Sequence, residues 1–167
     1  VMTGLKEPSH GKIFVDGADF YAAGETKRKK IMQNCGILYQ SGALFSSMTL
    51  AENIALPLQQ YTDYSRGMIQ DLVSLKLALV GLKGYEDFYP SEISGGMKKR
   101  AGLARALALD PDILYFDEPS AGLDPVSSQR LDRLILDINQ SLQTTIVVVS
   151  HELASIFAIG KRAIFLD

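Results

Sequence analysis

The sequence predicts an α/β domain built on a parallel sheet, with a helical unit inserted into it. Two observations lead there. Across the second half of the chain, stretches with helical and strand patterns alternate: 95–109, 113–116, 126–142, 144–149, 152–159 and 162–166. Regular alternation of this kind closes into a parallel sheet, because each parallel connection needs a crossover element. The middle of the chain, about 48–81, has apolar residues at helical spacing and no strand pattern, so it reads as an insertion.

The elements follow in order. Residues 11–17 form a short apolar stretch between turn residues and read as a strand. Residues 26–33 are basic and read as a short helix or turn. Ile37, Leu38 and Tyr39 form a buried strand ending at Gln40. Residues 50–58 look helical and are expected to stop near Pro57. In 65–80, Met68, Ile69, Leu72, Val73, Leu75, Leu77, Leu79 and Val80 recur at helical spacing, and Gly81 closes the helix. Residues 84–93 are a loop containing Pro90. Leu131, Leu134, Ile135 and Ile138 give 126–142 one apolar face. The β-branched run 144–149 has the pattern of a strand buried on both faces.

Bulk properties exclude several classes. The chain has 167 residues, 47% hydrophobic and 22% charged, with a formal net charge of −2. Nothing in that balance suits a protein that holds nucleic acid by bulk electrostatics. Cys35 is the single cysteine, so no internal disulfide forms, and its setting reads as a buried, inert thiol in a reducing compartment. No run reaches the roughly 18 apolar residues of a membrane span. The first residues lack an apolar segment behind a basic one and do not read as a secretory signal.

The chemistry is concentrated in 94–124. The apolar run Ile113-Leu114-Tyr115-Phe116 puts Asp117 at the carboxyl end of a strand, where open α/β sheets bind ligands. A carboxylate there can organise magnesium, and the adjacent Glu118 can orient or deprotonate a water that attacks a phosphate. Solvated acids before a proline turn would give the same pattern. Ser94-Gly95-Gly96 opens a helix with unobstructed N–H groups, suited to an anion. An ordinary serine cap is the plainer alternative. Lys98, Lys99 and Arg100 are unfavourable for the helix dipole and make sense beside a phosphate. His151 and Gln40 also end strands and can reach the same crevice. Each has a bland reading, as a solvated histidine and a polar loop residue; His10 is read as bland. The chain contains no G-x-x-x-x-G-K-[ST] loop, which commonly cradles such phosphates.

Taken in order, these residues closely resemble the ATP-binding cassette ATPases, which have a P-loop NTPase-like parallel sheet core with an inserted helical subdomain. Ile93-Ser94-Gly95-Gly96-Met97 resembles their signature motif. Residues 113–118 resemble the Walker B strand with its catalytic glutamate. Ser120 to Asp124 resembles the D-loop, His151 the switch histidine and Gln40 the Q-loop glutamine. The stretch 11–17 also resembles the family's early strand, so the likeness covers essentially the whole chain.

The resemblance implies units of 1–47 (partial core), 48–103 (helical signature subdomain) and 104–167 (remaining core). It implies two subunits paired head to tail, with Mg2+ and ATP held between the Walker motifs of one and the signature of the other. Ser94, Gly95, Gly96 and Met97 would act in trans on the partner's nucleotide. Glu118 would activate water, and His151 would stabilise the transferring phosphoryl group. Asp117 and Gln40 would serve magnesium, and Asp124 would couple the two sites. A transmembrane permease would be the other partner, the location cytoplasmic on the inner face of the membrane, and nucleic acid is not expected. Met97 stands where the family usually has Gln. With the following basic run it resembles the subgroup serving bacterial phospholipid-trafficking transporters. The absent phosphate loop makes the core incomplete, as in a chain truncated before residue 1, prone to self-association and not expected to bind ATP productively. Two alternatives are a DNA or translation clamp of the same family and a non-catalytic interaction module. The span of only 54 positions from Gln40 to Ser94 suits a transporter, since clamps often carry long coiled-coil insertions.

Overall fold

The computed structural model describes residues 3, 4 and 6–165. Within them the chain forms an antiparallel hairpin, β1 (Phe14–Val15) and β2 (Ala18–Asp19), and a parallel sheet of β3 (Cys35–Leu38), β4 (Ile113–Asp117) and β5 (Thr145–Val149) in the order β3-β4-β5. Six helices accompany them: α1 (Glu25–Gln33), α2 (Leu50–Tyr61), α3 (Arg66–Leu79), α4 (Gly95–Ala106), α5 (Pro125–Leu142) and α6 (Leu153–Ile159). The predicted α/β class and the helical insertion between β3 and β4 are both present. No described helix is long and apolar enough to cross a membrane.

The sheet is in register from Cys35↔Ile113 to Leu38↔Phe116, and from Ile113↔Thr145 to Asp117↔Val149. All three carboxyl ends therefore lie along one edge. Leu114 and Phe116 of the central strand are buried in one continuous apolar cluster. That cluster also takes in Leu50, Ile54 and Leu58 of α2, Leu103 of α4, and Leu131, Ile135 and Ile138 of α5. The helical insertion and the sheet share this core. Gly36 lets α4 close directly on β3, since a Cβ there would lie 2.3 Å from the Ala106 carbonyl oxygen.

Four expectations are corrected. The stretch 11–17 is not one strand. Asp16 and Gly17, at φ 49° and 73°, form the two-residue turn of a hairpin. Asp-Gly supplies the left-handed pair such turns need. The helix expected to stop near Pro57 continues to Tyr61. Proline removes one amide donor there, but buried Leu50, Ile54, Ala55 and Leu58 anchor the helix before and after it. β5 is not covered on both faces: it is the outer strand among the described residues, and Val149 is 59% exposed. The last strand, expected at 162–166, is absent over 162–165, where Ile164 and Phe165 are exposed and no strand pairs with them; Leu166 lies outside the described residues.

Candidate active site

Glu118 follows directly from β4, and its amide extends the ladder by donating to the Val149 carbonyl at 2.9 Å. Its φ of 48° is left-handed, an unusual conformation for a residue with a Cβ. This turns the chain sharply at the strand end. The Oε1 atom lies 2.7 Å from Nδ1 of His151, and Oε2 accepts from the Ser150 hydroxyl at 3.4 Å. The hydrogen bond to Glu118, and then its negative charge, raise the pKa of the exposed His151 imidazole. Two residues predicted from the ends of different strands thus meet.

Asp117 ends β4 with its carboxylate exposed. Gln40 is exposed two residues beyond Leu38, the register partner of Phe116, and so lies past the same carboxyl edge of the sheet. A carboxylate and an amide oxygen are the hard donors that magnesium prefers. The donor types and their common edge fit that ion, although no described group of three or more His, Cys, Asp or Glu is gathered for a metal.

Ser94 caps α4 by accepting from the Met97 amide at 3.3 Å. Gly95 and Gly96 occupy its first turn. A Cβ on either would meet only Leu123 and Ser127, at 3.7 Å or more, so nothing in this chain demands glycine there. Met97 packs partly buried against the core. No hydrogen bond among the described residues joins Ser94–Met97 to Gln40, Asp117, Glu118 or His151. Asp124 caps α5, with Oδ1 accepting from the amides of Val126 at 3.1 Å and Ser127 at 3.0 Å. The Ser127 hydroxyl and these amides hold the Asp124 carboxyl below its usual range.

Of the basic run expected beside a phosphate, Lys99 and Arg100 are engaged with backbone carbonyls. Lys99 is 5% exposed, and its Nζ donates to the carbonyls of Glu118 at 3.1 Å and Ala121 at 2.6 Å. Arg100 donates to the carbonyls of Val80 and Gly81 at the end of α3. Both side chains are spent on backbone carbonyls at the ends of turns.

Three further groups escaped the sequence reading. Ser120, next to Pro119, shares a hydrogen bond with Ser155 at 3.0 Å, and Ser155 donates to Asp132 Oδ2 at 2.9 Å. Burial pushes the Asp132 carboxyl up. Asn53 is fully buried. It accepts from the Phe45 amide, and its two Nδ2 protons are shared among the carbonyls of Phe45, Met48 and Thr49, fixing the segment between β3 and α2. Arg105 donates to the carbonyls of Ala43 and Gly42, close after Gln40. Buried polar residues that bond to backbone leave no periodic signal. A lone Asn on an otherwise apolar helix face was the one available hint.

A parallel sheet with acidic, amide and imidazole groups on its carboxyl edge, beside a glycine-opened helix, defines the nucleotide-binding α/β class. Residues 1–121 match the family described as ABC transporter, and the chain belongs to that family. It is 49% identical over 152 residues to the probable ribonucleotide transport ATP-binding protein mkl of Mycobacterium tuberculosis (strain ATCC 25618 / H37Rv), an alignment covering 91% of this chain and 42% of that protein. It is 41% identical over 156 residues to the intermembrane phospholipid transport system ATP-binding protein MlaF of Escherichia coli (strain K12), covering 93% of this chain and 58% of that one. The chain therefore spans about half the length of these relatives. Among solved structures it resembles the dimeric bacterial ABC transporter cassette MJ0796, with a TM-score of 0.82 at 26% identity over 93% of this chain and 69% of that one. A post-hydrolysis dimer of the same cassette, bound to ADP and Pi, gives a TM-score of 0.80 at 26% identity, over 92% of this chain and 68% of that one.

Proposed function

We propose that this chain carries the hydrolytic machinery of the ATPase subunit of an ABC membrane transporter. The observation that carries the reading is the Glu118–His151 contact on a left-handed turn at the carboxyl edge of the sheet. In this reading Glu118 orients the attacking water and takes its proton as the oxygen bonds to the γ-phosphorus and the bond to the bridging β–γ oxygen breaks, releasing ADP. His151, held by Glu118 before nucleotide arrives, stabilises the phosphoryl group in transfer. Asp117 and Gln40 would hold Mg2+, which when bound neutralises charge on the phosphate oxygens.

The outward-facing first turn of α4 supports a role in trans. Its glycines face no steric demand from this chain, and its N–H groups favour an anion brought by a second subunit. Asp124, capping α5 beside that turn, would couple the two sites. Residues 48–103 would form the unit that meets a permease, and 1–47 with 104–167 the core, working at the inner face of the membrane. Because the chain contains no G-x-x-x-x-G-K-[ST] loop, we infer that it does not bind Mg-ATP productively alone. The likeness to MlaF and the Met97 signature favour a phospholipid as cargo. The likeness to mkl makes a ribonucleotide the second reading.

The test uses a form extended upstream with a phosphate loop. Mg-ATP should bind to that form and not to the 167-residue chain. In it, Glu118→Gln should bind ATP normally and lose turnover by at least about a hundredfold. Wild-type turnover in that variant removes Glu118 from its role. With the permease in vesicles, ATP-dependent movement of labelled phospholipid, but not of ribonucleotide, identifies the cargo.

A further inference from the structure

Glu118 needs more than a strand end to hold it. Its left-handed φ is a conformation that costs a non-glycine residue about 1 kcal/mol or more and persists only where the surroundings enforce it. One contact on its backbone comes from the side chain of Lys99. Its Nζ sits between the carbonyls of Glu118 and Ala121, spanning both ends of the turn that contains Pro119 and Ser120. The Ala121 amide also donates to the Glu118 carbonyl, at 3.2 Å, so that oxygen is held from two sides. The ammonium is buried and desolvated, which lowers its pKa against the pull of Glu152 and Glu118. Burying a charge is expensive unless its donors are used. An apolar side chain of similar length would fill the space without that cost, but it could not grip the two carbonyls.

We propose that Lys99 is a positioning residue for hydrolysis: by fixing the Glu118 and Ala121 carbonyls to α4, it sets the direction in which the Glu118 carboxylate leaves the backbone. The inference rests on the role proposed for Glu118. Lys99 does not touch nucleotide; it acts through the backbone of the residue that does the chemistry.

The experiment measures steady-state ATP hydrolysis by the phosphate-loop-extended protein, wild type beside Glu118→Gln, Lys99→Met and Lys99→Gln. For Lys99→Met, kcat should fall about tenfold while KM for ATP changes less than about twofold, because misplacing a catalytic group by a fraction of an ångström affects the chemical step and not ground-state binding. Lys99→Gln keeps a neutral N–H donor on a shorter stem and should lie between Met and wild type. It also carries the test if the Met variant does not fold. Wild-type kcat in the folded Lys99 variants, or a loss confined to KM, overturns the inference. An inactive wild type, or full turnover in Glu118→Gln, overturns the role of Glu118 instead, so the two failures are told apart.

Discussion

Nδ1 of His151 lies 2.7 Å from Oε1 of Glu118, although the residues come from the ends of different strands, 33 positions apart. The carboxylate raises the imidazole pKa above its ordinary 6.5, first through the hydrogen bond and then through charge. The folded protein thus favours the protonated ring. While the carboxylate is ionised, the stabilisation gained by the protonated ring is fully present below about pH 6.5 and fades as pH rises through the raised value. Glu118→Gln removes the charge, so His151 should then titrate at a lower pH than in wild type. Following the ring protons of His151 by NMR, with His10 replaced to simplify assignment, checks this. An unchanged titration curve in Glu118→Gln would mean the two groups do not interact in solution.

Glu118 also sets stability against activity. Glycine adopts a φ of 48° without the Cβ penalty. Glu118→Gly should therefore stabilise the fold by about 1 kcal/mol while abolishing turnover in the phosphate-loop-extended form. Chemical denaturation beside an activity assay reads both. A destabilised Glu118→Gly would show that the side-chain contacts to His151 and Ser150 outweigh the backbone cost.

Asn53 is the polar pin of the segment that leads from Gln40 into α2. Its Oδ1 accepts from the Phe45 amide, and its two Nδ2 protons are shared among the carbonyls of Phe45, Met48 and Thr49, with distances of 2.8–3.1 Å. Asn53→Ala leaves these buried groups without a partner and should cost about 2–3 kcal/mol. Amide exchange at Phe45 should accelerate more than exchange in β4, since the loss is local. Equal exchange in wild type and variant at Phe45 would count against the pinning role.

The three strands of the parallel sheet and most helices were legible because apolar periodicity follows directly from which faces are buried. The candidate catalytic groups were legible because acids, amides and imidazoles at strand ends are a one-dimensional trace of the carboxyl edge. Lys99 was not. Its neighbours Ser94 and Lys98 suggested an anion site, and only the packing of α4 against the 118–121 turn directs its ammonium onto carbonyls. The Ser120–Ser155–Asp132 chain was hidden for a similar reason, since three elements far apart in sequence meet only in the fold. Pro57 and the 162–166 stretch misled in opposite directions. Tertiary packing carried a helix through a proline, while an apolar run with no strand to pair with did not become one.

Two glycine substitutions should move stability in opposite directions for reasons that local sequence does not reveal. Gly36 in β3 faces the last turn of α4. A Cβ there would lie 2.3 Å from the Ala106 carbonyl oxygen and 2.6 Å from Leu114 Cδ2. The first neighbour is backbone and the second is a fully buried side chain of the central strand, so neither can step aside cheaply. Gly36→Ala must push α4 off the sheet or shift β4, at a cost of about 3 kcal/mol. Gly67, in the first turn of α3, has nothing within 4 Å of the same added atom. Gly67→Ala should stabilise by up to about 1 kcal/mol, since alanine restricts the unfolded chain and suits a helix. Urea denaturation of the two single variants beside wild type tests the contrast. If Gly36→Ala unfolds within about 0.5 kcal/mol of wild type, the close approach of α4 to β3 is not present in solution, because surface-like tolerance of that size is incompatible with a backbone contact this short.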